Sequence, residues 1–301
     1  MLMIVATAAA DEVREIAWSP AGDEVMARVY VEAKGESATL LLRRNARTPV
    51  SIAIPGPDAG FAWVTPNRVL LSGDMGTTLN DLVERTVTPM LDRSYPVVDL
   101  SPDHTVLATW NSKLGGQLWV AEPCKPKLGE TTCVPRRWIP RPDTPKLAGP
   151  VIWLADGGFL VAGSTPDATT LTRYNAAASP MASVPLPPGP VRVDAAEDGR
   201  FVVWQDARVS AWVMEGRIAG SGLSEPTAIS GAPPASAVDL SASGEALVIG
   251  TTSGEVWALR NDSTEWRVWS AGHVRVRAVA VSPDGTAVCA DADGEISFWT
   301  P

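Results

Sequence analysis

One phrase recurs seven times along this chain, and fixed-period recurrence constrains architecture before any single residue is weighed. Its clearest copy is AVAVSPDGTAVCADADGEISFWTP, running from Ala278 to Pro301. It reads as a short apolar strand, a Pro-Asp-Gly turn, a strand of small residues, an Asp/Gly turn and a third strand with Trp299. Six segments align with it: VREIAWSPAGDEVMARV from Val13, FAWVTPNRVLLSG from Phe61, VVDLSPDHTVLATW from Val97, VIWLADGGFLVAG from Val151, VRVDAAEDGRFVVW from Val191 and AVDLSASGEALVIG from Ala237. The turn residues Gly22, Asn67, His104, Gly157, Gly199, Gly244 and Gly285 are spaced by 45, 37, 53, 42, 45 and 41 positions. Third strands follow in GQLWVAE, RVSAWVME, GEVWALR and GEISFWT, four of them carrying Trp119, Trp212, Trp257 and Trp299. Alternating apolar and polar residues between Gly, Pro, Asp and Ser clusters mark short, half-buried strands. No stretch sustains a helical period.

Units of about 40–45 residues with four strands each predict an all-β chain, a seven-bladed β-propeller of four-stranded antiparallel blades. The expected blades span approximately 13–54, 60–92, 96–139, 149–185, 190–230, 235–270 and 275–301, in one domain over 1–301. The last unit stops after its third strand, and Leu2–Thr7 supplies an apolar strand to complete it. That pairing closes the ring and removes two open edges. A signal-peptide remnant over residues 1–10 is the rival reading, but it lacks a basic leading segment and its apolar run is short. A length of 301 residues fits two domains on average, yet closed all-β folds reach this size as one. The Pro-rich segments Ser183–Pro190 and Ile229–Ser236 fall at inter-blade crossings.

A net charge of −9 argues against nucleic acid as a partner, because phosphate binding needs a basic footprint. No apolar run is long enough to span a membrane as a helix. Cys289 sits mid-strand and reads as a small buried thiol. Cys124 and Cys133 flank a hairpin and lie within reach of a disulfide, which an oxidising compartment would form and the cytosol would leave reduced. Without a recognisable export signal the expected location is cytoplasmic. Five lysines against 20 arginines, with abundant Ala, suggest a GC-rich, bacterial source.

The chain resembles the WD-repeat propellers as a divergent member. The last unit carries the best match: Gly272-His273, the turn Ser282-Pro283-Asp284-Gly285, and Trp299 on the third strand. In that family a His, a turn Asp, a Ser or Thr and the strand Trp form a buried hydrogen-bonded network. The resemblance puts His273, Asp291 or Asp293, and Trp299 in those places, while residues 287–290 offer no hydroxyl. The family's terminal Trp-Asp dipeptide is absent: Trp299 is followed by Thr300, Trp257 by Ala258 and Trp119 by Val120.

Signals for catalysis are sparse. The two histidines, His104 and His273, fall in different blades, so a His-centred triad has one candidate at a time. There is no metal-spaced His/Cys cluster, phosphate-binding Gly loop or nucleophile elbow. Asp99, Asp194 and Asp239 recur in VVDL, VRVD and AVDL, the pattern a propeller hydrolase would use to hold a divalent cation in its channel. Asp before a turn is also a common repeat feature. The expectation is a non-enzyme needing no cofactor or metal, with the hydrolase as the alternative.

Loops carry specificity on repeat scaffolds. Residues 125–146 form a net +4 island, with Lys125, Lys127, Arg136, Arg137, Arg141 and Lys146 against Glu130 and Asp143, and they include Trp138. Arg beside Trp is enriched at interface hot spots; a solvated hairpin is the plainer reading. Trp110 and Trp204 end second strands, and Tyr95, Arg192, Arg275 and Arg277 flank the starts of first strands. These six are expected at one channel rim; inter-blade packing is the plainer reading for each Trp. The predicted function is a scaffold or regulatory subunit that docks a protein or peptide, acting as a monomer or within a hetero-complex.

Overall fold

A computed structural model describes residues 12–31, 36–43, 50–56, 60–73, 76–122, 138–145, 147–164, 168–205, 212–272 and 274–299. The predicted closing strand, Cys124, Cys133, Arg136, Arg137 and His273 lie outside the described residues. All regular structure within them is β-strand. Consecutive strands pair antiparallel in sequence order to give seven separate sheets, the blades of a seven-bladed propeller. The first blade comprises Glu12–Trp18, Glu24–Val31, Glu36–Arg43 and Val50–Gly56. In the fifth, the outer strand is broken into Gly222–Leu223 and Thr227–Ala228, both paired with Val213–Ala219. Three described strands make the seventh: Val276–Val281, Ala287–Asp291 and Ile296–Trp299.

First strands touch one another in six of the seven neighbouring blade pairs, which makes them the innermost strands around the axis. They are Glu12–Trp18, Gly60–Thr65, Val97–Leu100, Val151–Trp153, Val191–Ala195, Ala235–Leu240 and Val276–Val281. The core divides into seven apolar clusters, one at each blade junction. The cluster of Val13, Ile16 and Trp18 with Ala278, Ala280 and Phe298 joins blade seven to blade one, so the ring closes through side-chain packing. Tryptophans also tie blades by donating to backbone: Trp18 Nε1 to the Ala280 carbonyl and Trp63 Nε1 to that of Ala17, each at 3.3 Å.

The repeated turn has a clear physical logic. Ser19, Ser101, Ser241 and Ser282 occupy one position, all nearly fully buried. Their hydroxyls accept backbone N–H groups across the turn, as from Val106 to Ser101 at 2.9 Å and from Thr286 to Ser282 at 3.0 Å. Of the seven spacing markers, Gly22, His104, Gly157, Gly199, Gly244 and Gly285 have positive φ, which favours glycine; His104 alone carries a side chain there, at φ 60°.

Two boundaries differ from the sequence reading. Pro180–Leu186 is the fourth blade's outer strand, so the first half of the segment expected as a crossing is strand. Its Pro185 is tolerated because an outer strand has a solvent edge needing no donor. In blade five, Trp212 precedes the third strand, and its carbonyl accepts the Gln205 N–H at 3.2 Å.

Candidate functional site at the axial mouth

Strand register gathers the predicted rim residues at one end of the ring. Val97 lies opposite Trp110, Arg192 opposite Trp204 and Val276 opposite Asp291. Tyr95, Trp110, Arg192, Trp204, Arg275 and Arg277 therefore stand at the end where inner strands begin. Trp138 and Arg141 do not join them. Trp138 pairs with Ala121 at the far end of its hairpin, and Arg141 Nη1 donates to the Ala176 carbonyl at 2.9 Å, bridging blades three and four.

Burial then divides the set. Trp204, Tyr95 and Trp138 are 7%, 6% and 8% exposed, with their rings filling blade junctions, so packing claims them. Trp110 is half-buried, and its enclosed indole N–H meets no acceptor among the described residues. The hairpin turn that follows carries Leu114, 72% exposed. Arg192 and Arg277 are exposed, as is Arg14, which the sequence reading did not single out.

Arg14 was missed because its position depends on a bulge. The ladders of blades one, six and seven shift register between Val13 and Glu15, Ala235 and Ala237, and Val276 and Ala278. Arg14, Ser236 and Arg277 thereby take equivalent bulge positions, and bulges re-aim side chains. Ser236 Oγ turns inward to the carbonyls of Val276 and Gly250, at 2.7 and 3.0 Å, and so ties blade six to blade seven. The Arg14 guanidinium lies 4.0 Å from the centroid of the Tyr30 ring.

Below the mouth the passage turns acidic. Register puts Glu15 of blade one level with Arg192 of blade five, and Asp99, Asp194 and Asp239 two residues deeper, about 7 Å along the strand. Glu15 feels the charge of Arg192, and Asp99 of blade three feels that of Glu15. These blades are not neighbours, so their side chains meet only at the axis. Glu15 pairs with Arg28 at 3.2 Å. Burial nevertheless raises its pKa, with Arg28 and Arg192 opposing, while a side chain 39% exposed leaves room for water to temper the effect.

The recurrent aspartates act as staples. Asp194 accepts the Leu240 N–H of blade six at 2.8 Å, and Asp239 accepts the Val281 N–H of blade seven at 2.7 Å. Burial raises both pKa values, and for Asp239 the neighbouring Asp194 charge adds to it. Among the described residues Asp99 accepts only the Leu100 N–H of its own strand, at 2.8 Å, and burial pushes its pKa up to about 7.

Of the polar network expected in blade seven, His273 lies outside the described residues. Asp291 accepts the N–H groups of Asp293 and Glu295, both at 2.9 Å, in the turn at one end of the strand. Trp299 pairs with Ala287 at the other end and stacks on Trp269 with centroids 6.4 Å apart. A network of that kind stands in blade three. Trp119 Nε1 donates to Thr109 Oγ1 at 3.0 Å, and Thr109 is hydrogen-bonded to the Tyr95 hydroxyl. The Tyr95 N–H continues it to Ser72 Oγ at 2.7 Å, and Ser72 meets Thr77 at 3.1 Å. The visible signal was the Thr-Trp ending of VLATW followed by the Trp of GQLWVAE.

No family model matches this chain, and no curated protein does. Among solved structures, it is similar to hydrazine synthase from Kuenenia stuttgartiensis, at 11% identity with a TM-score of 0.65, over 98% of this chain and 97% of that one. Likeness at that identity carries the propeller fold and nothing finer.

Proposed function

We propose that this chain is a non-catalytic binding platform of the WD-repeat kind, docking a protein or peptide partner around the axial mouth. The observation that carries the reading is Trp110, whose enclosed indole N–H has no acceptor among the described residues, beneath exposed Leu114 and on the face of the exposed arginines. Buried donors are almost always paired, so an orphaned one at a surface suits a site completed by a ligand acceptor. Support for the WD-repeat character comes from the strand Trp119, which donates to the strand hydroxyl of Thr109, with Tyr95 beside it. Blade-to-blade staples hold the loops in place, so little ordering cost attends docking.

The carboxylate hydrolase is the weaker reading. Asp194 and Asp239 already accept backbone N–H groups of the next blade, which occupies oxygens that a cation would need. Affinity capture from native lysate tests the platform. A stoichiometric partner retained by Arg141→Glu but lost by Trp110→Ala is expected; equal capture by both variants would move docking off this face.

A further inference from the structure

We propose that a cleft between blades three and four, at the end opposite the mouth, binds a small monocarboxylate carried on an apolar body. The cleft has a volume of about 600 Å³, with Val106, Val120, Ala121 and Ala176 as apolar walls and with Arg141 and His104 beside them. That size suits one small molecule, and apolar walls with a few polar groups are the usual make-up of such a site. Val106 lies opposite Val120, where the second strand of blade three begins and its third strand ends, away from Trp110. Behind Val106 stands the buried cluster of Phe159 and Ala178 that joins the two blades. This site is separate from the mouth and stands whether or not a partner docks there.

Arg141 supplies the charge. Its Nη1 is anchored on the Ala176 carbonyl at 2.9 Å, the guanidinium's only hydrogen bond among the described residues. The Nε–H and Nη2–H edge is left, and two parallel donors of that kind grip a carboxylate bidentately. His104 adds a further donor, exposed and without a hydrogen bond from its side chain among the described residues. Asp143 at φ 61° and Ala178 at φ 60° belong to the turns that carry Arg141 and Ala176. With His104, three of the four described non-glycine residues at positive φ thus border this cleft, and backbone strain concentrates at functional sites. Asp103, Glu122 and Asp143 are the nearest carboxylates along the chain. Asp103 is folded into its own turn, accepting the hydroxyls of Ser101 at 2.6 Å and Thr105 at 2.9 Å, and none of the three pairs with Arg141. One cation amid these acids balances a single negative charge, which favours a carboxylate over a doubly charged phosphate.

Isothermal titration calorimetry of the full chain with phenylbutyrate tests the proposal, with phenylbutyramide as the uncharged counterpart and acetyl-glycyl-phenylalanine presenting the same group as a peptide end. A dissociation constant on the order of 1 mM is expected for phenylbutyrate. The amide, and phenylbutyrate with Arg141→Gln, should each bind about tenfold more weakly. Arg141→Lys should also weaken binding, because lysine meets a carboxylate as a point charge. Ala176→Trp, at an exposed turn, should block the cleft in a chain that circular dichroism melting shows to be folded. Arg267→Gln, exposed on the outer strand of blade six, should leave binding unchanged. Tighter binding of the peptide would assign the carboxylate to a chain terminus, and tighter binding of phenylbutyrate to a free acid. No heat of binding at about 10 mM ligand, equal binding of the amide, or full binding by folded Ala176→Trp protein would each overturn the site.

Discussion

His104 shows how a repeat tolerates a residue that its geometry disfavours. Its counterparts are Gly22, Gly157, Gly199, Gly244 and Gly285, all at positive φ, and His104 holds φ 60° at an exposed turn. Histidine is among the residues that enter the left-handed region at modest cost. Replacing His104 by Gly removes that strain but frees the unfolded chain, which offsets part of the gain. The expected result is stabilisation below about 1 kcal/mol, read from urea midpoints at unchanged slope. Gly285→Ala is the mirror image: a Cβ forced to φ 82° should destabilise by roughly 1 kcal/mol.

Hairpins in blades two and three share one polar seam, and that seam sets their relative position. Thr109 is its centre, accepting from Trp119 at 3.0 Å and bonded to Tyr95, whose N–H reaches Ser72 in blade two. Thr109→Val keeps the shape but leaves the Trp119 and Tyr95 groups without their partner. A loss of about 1–3 kcal/mol is expected from the unsatisfied groups, measured by chemical denaturation, with Thr109→Ser restoring most of it. A loss below about 0.5 kcal/mol would mean that water replaces the hydroxyl.

At the scale of the whole ring, the axial carboxylates make stability depend on pH. Asp99 rises from an ordinary 3.8 to about 7 because it is buried, with Glu15 adding to the effect. A group raised in the folded state contributes stability fully below its unfolded pKa and loses it as pH climbs through the folded value. The melting temperature should therefore fall between about pH 4 and pH 7 and level off above, and Asp99→Asn should flatten that fall. Because Asp99 is half-buried, solvent screening reduces the gain of Asp99→Asn at pH 8 to roughly 1–2 kcal/mol. An unchanged pH profile would show that Asp99 is solvated like any surface carboxylate.

The seven-fold repeat, the strand-turn-strand phrasing and the ring were legible in the residues themselves, because alternation and turn chemistry are local and recur. The common end shared by Trp110, Arg192 and Arg277 was legible too, since antiparallel order alone sets which strand ends meet. Burial was not: Trp204 and Trp110 end equivalent strands, yet only the packing of one blade against the next places the first in the core and leaves the second half-open. Register was equally hidden. A one-residue bulge re-aims Arg14, and only the closed ring carries Glu15, Asp99 and Arg192 from non-adjacent blades to one axis. Local sequence determined the blades; the long-range closure of the ring decided which side chains became core, staple or mouth.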